Sequence, residues 1–121
     1  MTTRKQRAHD SETAVAGWFK ANGWPFAEPV GAGRSGTDVT GMPGLIVEVK
    51  ARRDFRPVEW LKQHALTRVA MEPAGDSVRG LPLPFVVWRP DGMGPASIGS
   101  WGVMMRLDDF TALLREAGYG G

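Results

Sequence analysis

Cysteine is absent from the chain, which excludes a disulfide framework, a thiolate nucleophile and a cysteine zinc site. Histidine is scarce: His9 and His64 are the only two, too few to build a zinc hydrolase or a histidine-based nuclease. No apolar run approaches the ~20 residues of a membrane helix, and the opening Thr2-Thr3-Arg4-Lys5-Gln6-Arg7 lacks a following signal-peptide core. A cytoplasmic protein with no membrane partner is expected. Internal repeats and low-complexity tracts are also missing. Excess charge is small, +2, but its placement is uneven: Arg4, Lys5 and Arg7 crowd one end, and Lys50, Arg52, Arg53 and Arg56 cluster further on. What remains is ordinary soluble composition over 121 residues, enough for one domain with a real core and not for two.

Turn signals and periodicity divide the chain into a basic flexible arm, residues 1–9, and a single domain, residues 10–121. Asp10 or Ser11 is suited to cap a helix that runs to about Ala21 and ends at Asn22-Gly23. Its apolar face holds Val15, Ala16 and Phe19, and at about 100° per residue Glu12 falls on that same side. An acid on an inward stripe is unusual. Trp24 to Val30 reads as a short edge strand, since Pro25 and Pro29 would interrupt an interior one. Pro57 opens a second helix reaching about Met71, with Val58, Leu61, Ala65 and Val69 on one face, and residues 72–81 read as loop. Pro84 to Arg89 and Ser100 to Arg106 read as strands joined by a connection over residues 90–99. Leu107 to Glu116 reads as a closing helix with Leu107, Phe110, Leu113 and Leu114 inward and Gly118 beyond its end. The expected fold class is α/β, order αβββαββα, with one central mixed sheet flanked by helices. The tryptophans read as core, Trp18 and Trp88 by their apolar runs, with Trp60 the candidate exception.

The densest chemistry lies between Thr37 and Lys50. Leu45 to Ala51 is β-branched and bounded by Gly44 and by Arg52-Arg53-Asp54, hence a strand. Alternation puts Leu45, Val47, Val49 and Ala51 on one face and Ile46, Glu48 and Lys50 on the other. Asp38 lies in the preceding segment, Thr37 to Thr40, and Pro43 and Gly44 suit the central positions of a type II turn between the two. Paired as a hairpin, Asp38, Glu48 and Lys50 converge. A half-buried ion pair on the wet face of a sheet is the simpler explanation. Against it stand the hydrophobic surroundings and Glu12 one helix away. Carboxylates gathered in one place repel unless a cation joins them, and oxygen donors with open positions suit Mg²⁺. Lys50 adds a positive charge where a phosphate or its transition state could sit.

Gly31-Ala32-Gly33-Arg34-Ser35-Gly36 matches the spacing of a dinucleotide-binding loop, but the segment that follows, Thr37 to Gly44, cannot form the helix that such a loop requires. Two readings stay open: a loop whose Arg34 and Ser35 contact a nucleic-acid backbone, and a solvated loop. Arg52, Arg53 and Arg56 likewise read as a DNA-binding extension of the acidic strand or as a solvated turn.

Asp38, nine residues, then Glu48-Val49-Lys50, preceded by a helix carrying Glu12, resembles the PD-(D/E)xK nuclease superfamily of restriction-endonuclease-like fold, across residues 10–105. The Gly-Arg-Ser-Gly-Thr-Asp approach and the helix bearing Trp60 and Gln63 are most similar to Holliday-junction-resolvase-like proteins, including small ones carried by phages. Thr37 stands where many members have proline. The resemblance implies a metal-dependent endonuclease that hydrolyses DNA phosphodiesters in recombination, with branched DNA as substrate. Asp38 and Glu48 would bind Mg²⁺ or Mn²⁺, the Val49 carbonyl would be a further ligand, and Glu12 would complete the site. Lys50 would orient the attacking water and stabilise charge; as a general base it would need a lowered pKa. Gln63 enters by family analogy alone, as a DNA or site contact. Symmetric incision of a junction implies a homodimer. The alternatives are a nuclease of the same fold acting on flaps, linear duplex or single strands, and a nucleic-acid-binding module that has lost catalysis.

Overall fold

The computed structural model describes residues 3–31, 37–51, 53–63 and 82–120. The elements are helix α1 (Arg4–Ala21), strands β1 (Glu28–Pro29), β2 (Val39–Thr40) and β3 (Leu45–Lys50), helical backbone over residues 57–63 (α2), strand β4 (Leu83–Trp88), a 3₁₀ segment (Pro95–Ser100), strand β5 (Gly102–Met104) and helix α3 (Leu107–Glu116). The molecule is thus mixed α/β. Among the described residues the strands form two small sheets in place of the one expected: β1 pairs antiparallel with β2, and β3, β4 and β5 form a mixed sheet with β4 central.

The basic arm expected over residues 1–9 is instead helical from Arg4. Its physical cause is a capping box: the Thr3 hydroxyl accepts from the Gln6 amide at 3.1 Å while the Gln6 side chain accepts from the Thr3 amide at 3.1 Å. Ser11 is no cap. It is fully buried inside the helix and its hydroxyl donates to the Arg7 carbonyl one turn back. The helix ends at Asn22, as expected. The strand expected over residues 24–30 shrinks to Glu28–Pro29.

The turn after β2 is the one its residues require. Leu45 N–H donates to the Met42 carbonyl at 3.1 Å, and Gly44, at the position that needs positive φ, has φ +79°. β3 then runs parallel to β4, with Glu48 opposite Val86 and Lys50 opposite Trp88. Both faces of β3 are covered, the usual state of parallel strands. On one face Val47 and Val49 join Val15 and Ala16 of α1, Val39, Phe85, Val87 and Trp101 in the main core. On the other, Ile46 and Val86 are buried, and Phe55 bridges Trp60 and Trp88 by ring contacts at 5.4 and 4.6 Å.

Trp60, at 2% exposed, is therefore a core residue, whereas Trp18, expected inside, is 43% exposed. Within α2 Trp60 is buried and Leu61 of the expected stripe is half-buried, while Val58 is exposed; Ala65 and Val69 lie outside the described residues, as does the loop read over 72–81. α3 has the expected bounds but only part of the expected inner face: Leu114 is half-buried, whereas Leu107 is 77% exposed, Phe110 and Leu113 are also exposed, and Asp109 is buried. No described helix is long and apolar enough to cross a membrane.

Candidate functional site

The site is built on the edge of β3 that faces away from β4. Along a strand, the N–H and C=O of one residue point to the same edge, and alternate residues share an edge. Val47, Val49 and Ala51 present theirs to the outer edge, where side chains take over part of the ladder. The Asp38 amide donates to the Val47 carbonyl at 2.7 Å. The Thr37 hydroxyl accepts from Val47 N–H at 3.0 Å and donates to the Val39 carbonyl at 2.7 Å. The Asp38 Oδ2 atom accepts from Val49 N–H at 2.8 Å. One residue further along the edge, Arg7 Nε of α1 donates to the Ala51 carbonyl at 2.8 Å. Thr37 and Asp38 thus dock on β3, but through a threonine hydroxyl, an aspartate carboxylate and one backbone bond in place of the expected hairpin, because β2 pairs with β1.

Thr37 contributes a side-chain hydroxyl to this edge. Its hydroxyl satisfies a β3 amide and fixes the backbone from which Asp38 projects.

Glu48 and Lys50 point to the α2 face of β3. Glu48 is 5% exposed and its Oε2 lies 3.7 Å from Lys50 Nζ, so the ion pair weighed from sequence does form. Gln63 on α2 accepts from Lys50 Nζ at 3.4 Å. Gln63, expected as a DNA or site contact, thus lies beside Lys50. Glu12 lies on α1, half-buried. Its pKa is raised, first by burial and then by the negative charge of Asp38, with His9 opposing. Two carboxylates from separate elements, α1 and the segment before β2, are close enough for one to disfavour ionisation of the other.

Among the described residues no group of three or more His, Asp or Glu side chains is arranged to hold a metal ion. The donor chemistry nevertheless fits a hard divalent cation. Glu12, Asp38, Glu48 and the Val49 carbonyl offer only oxygen, and the mutual repulsion of Glu12 and Asp38 is what such a cation would relieve.

Of the residues read as DNA contacts, Arg34, Ser35 and Arg52 lie outside the described residues. Arg53 is exposed and lies 3.6 Å from Asp91. Arg56 is exposed and already held by Asp54 and Glu59; the hydrogen bond to Asp54, then that to Glu59, raises its pKa. Sequence reading missed Arg7 and Arg89 beside the site, although the Thr3-x-x-Gln6 capping signature was available to put Arg7 on the helix that reaches β3. Comparisons of the chain with family models, with curated proteins and with solved structures return no match.

Proposed function

We propose that this protein is a metal-dependent endodeoxyribonuclease of the PD-(D/E)xK type, acting on branched DNA. The observation that carries the reading is the docking of Asp38 on the Val49 amide, inside Glu48-Val49-Lys50, with the Glu12 carboxyl near enough to feel the Asp38 charge. An acid from α1 and one from the segment before β2 thereby interact beside the outer edge of β3, the strand whose α2 face carries Glu48 and Lys50. A surface salt bridge needs none of that arrangement.

Asp38, Glu48, the Val49 carbonyl and Glu12 would hold Mg²⁺ or Mn²⁺. When bound, the cation supplies Lewis acidity and positive charge at the scissile phosphate. The chain's own groups do the rest. Lys50 Nζ, held between Glu48 and Gln63, is a preorganised cation for charge that develops on the phosphate oxygens. Asp38 is fixed before substrate arrives, because both its amide and its Oδ2 are bonded to β3. For a four-way junction the two required incisions call for a homodimer.

The Glu48–Lys50 ion pair favours a second reading, a DNA-binding module without catalysis, in which the pair is structural. One experiment separates them: labelled four-way junction, flap, duplex and single-stranded DNA are incubated with the protein in Mg²⁺, Mn²⁺ or EDTA, beside Glu48→Ala. The expected result is junction cleavage that needs the cation and is lost in Glu48→Ala. Absence of cleavage on every substrate in both metals sinks the enzyme reading. Equal cutting of linear duplex sinks only the preference for junctions.

A further inference from the structure

Beyond the acidic edge, at the C-terminal ends of β3 and β4, lies a cleft of about 550 Å³ whose walls include Arg4, Arg7, Arg53 and Arg89. Two acids, Asp10 and Asp54, share the lining, but Asp54 is already bonded to Arg56. Asp91 is shared between Arg7 and Arg53 at 3.9 and 3.6 Å, too far for a hydrogen bond to either. Positive charge therefore exceeds what nearby carboxylates neutralise at close range.

The arginines are held in place by groups that leave donors over. Arg89 Nε donates to the Met93 carbonyl at 2.8 Å, its Nη1 donates to the buried Ser11 hydroxyl at 3.0 Å, and its guanidinium lies 5.4 Å from the centre of the Trp101 ring. Arg7 Nε is fixed on the Ala51 carbonyl, while its Nη2 is buried and has no hydrogen-bond partner among the described residues. A buried guanidinium donor that makes no hydrogen bond, with only Asp91 at 3.9 Å as charge partner, is costly and has room for a closer acceptor. Burial and then the charge of Arg7 lower the pKa of Arg89, with Asp10 opposing, so the two guanidiniums are near enough to repel. The first turn of α1 carries Arg4 and no acid, the reverse of the usual preference at a helix N-terminus. An anion between these residues removes all three penalties.

We propose that the cleft is an anion site that takes a phosphate group, held by the fork of Arg7 and Arg89 with Arg4 and Arg53 at its rim. Guanidinium forks match the geometry of phosphate oxygens, and one anion can bridge two of them. The cleft begins at Ala51, the residue after Lys50, so a DNA strand at the acidic edge would carry another of its phosphates here. That choice of source rests on the nuclease reading; the site itself does not.

Binding is measured in EDTA, where no cleavage occurs, by fluorescence anisotropy of labelled duplex and junction DNA against salt concentration. Arg7→Gln is the direct variant. Because Arg7 also bonds the Ala51 carbonyl, the double variant Arg4→Gln/Arg53→Gln, at exposed positions, provides a test that does not depend on the Arg7 variant folding. Weaker binding is expected, with the slope of log K on log salt reduced by about 0.9 for each duplex phosphate that the variant no longer neutralises. Inorganic phosphate and pyrophosphate should raise the melting temperature of the wild-type protein and compete with DNA. DNA with a 5′-phosphate that binds more tightly than its 5′-hydroxyl form assigns the site to a strand terminus; equal binding assigns it to an internal phosphodiester. Unchanged affinity and slope in the rim variant, together with no thermal shift by either anion, overturn the proposal. Failure to cut any DNA, with these binding results intact, would sink the nuclease reading and leave the anion site standing.

Discussion

At the scale of single residues, Glu12 carries the sharpest consequence. Burial and then the Asp38 charge raise its pKa above the ordinary 4.5. A carboxyl whose pKa is higher in the folded than in the unfolded chain contributes stability that is fully present below its ordinary pKa and is lost as pH rises through the folded value. The protein therefore gives up stability at neutral pH to keep this acid half-buried near Asp38. Glu12→Gln removes that loss. Urea titrations without metal should show the variant gaining on the wild-type protein between pH 4 and pH 7.5, while Mg²⁺ raises the melting temperature of the wild-type protein more than that of the variant. A variant no more stable at pH 7.5 would mean that burial and Asp38 together do not hold the Glu12 pKa up. Lys50 makes the complementary case. Lys50→Ala removes the cation that the proposed chemistry places at the phosphate, and a fall in kcat of about 10²–10³-fold is expected, the scale of losing one preorganised stabilising group. Single-turnover cleavage of junction DNA measures it, and a loss confined to KM would assign Lys50 to binding alone.

At the scale of elements, the acidic edge depends on how one short segment is fastened to β3. Thr37→Val keeps the shape but leaves the Val47 amide without its hydroxyl acceptor, at a cost of about 1–3 kcal/mol. The same change loosens Asp38, so cleavage should fall further than stability alone explains. Gly41 is a second fastening. Its φ is +79°, and a Cβ there would lie 1.9 Å from the Phe26 carbonyl oxygen, so Gly41→Ala forces the turn after β2 away from the segment that leads into β1. Strain of this kind costs about 1–3 kcal/mol or more, and a lower urea midpoint with unchanged slope would register it. These fastenings also mark where the sequence was legible. The type II turn at Pro43-Gly44 and the two faces of β3 follow from local rules, because proline fixes φ, glycine permits positive φ and strands alternate. The bond from Asp38 to Val49 follows from no local rule, since it joins side chain to backbone across a turn. The extra turns of α1 were legible in Thr3-x-x-Gln6, but the run of basic residues there equally suits a flexible arm.

At the scale of the whole molecule, apolar pattern failed where burial depends on distant partners. Leu107, Phe110 and Leu113 have the spacing of an inward stripe, yet they are exposed among the described residues, whereas Trp60 is fully engaged under β3. Periodicity shows that a helix has an apolar side, and only tertiary packing decides what that side meets. The number of sites acting together is also a whole-molecule property. On the nuclease proposal one acidic edge per chain would make one incision, and resolving a four-way junction needs two that are related by symmetry. Mixing the wild-type protein with Glu48→Ala separates the possibilities. If the active species is a homodimer, mixed dimers hold one competent site, and junctions nicked on a single strand should accumulate as the variant fraction rises, at constant total protein. If each chain acts alone, the wild-type protein already releases singly nicked junctions as its first product, and adding the variant only slows the reaction by competing for DNA. Strand-resolved gels over a series of mixing ratios read the difference directly, and a product distribution that does not change with the ratio would exclude a dimer whose two sites cut the same junction in concert.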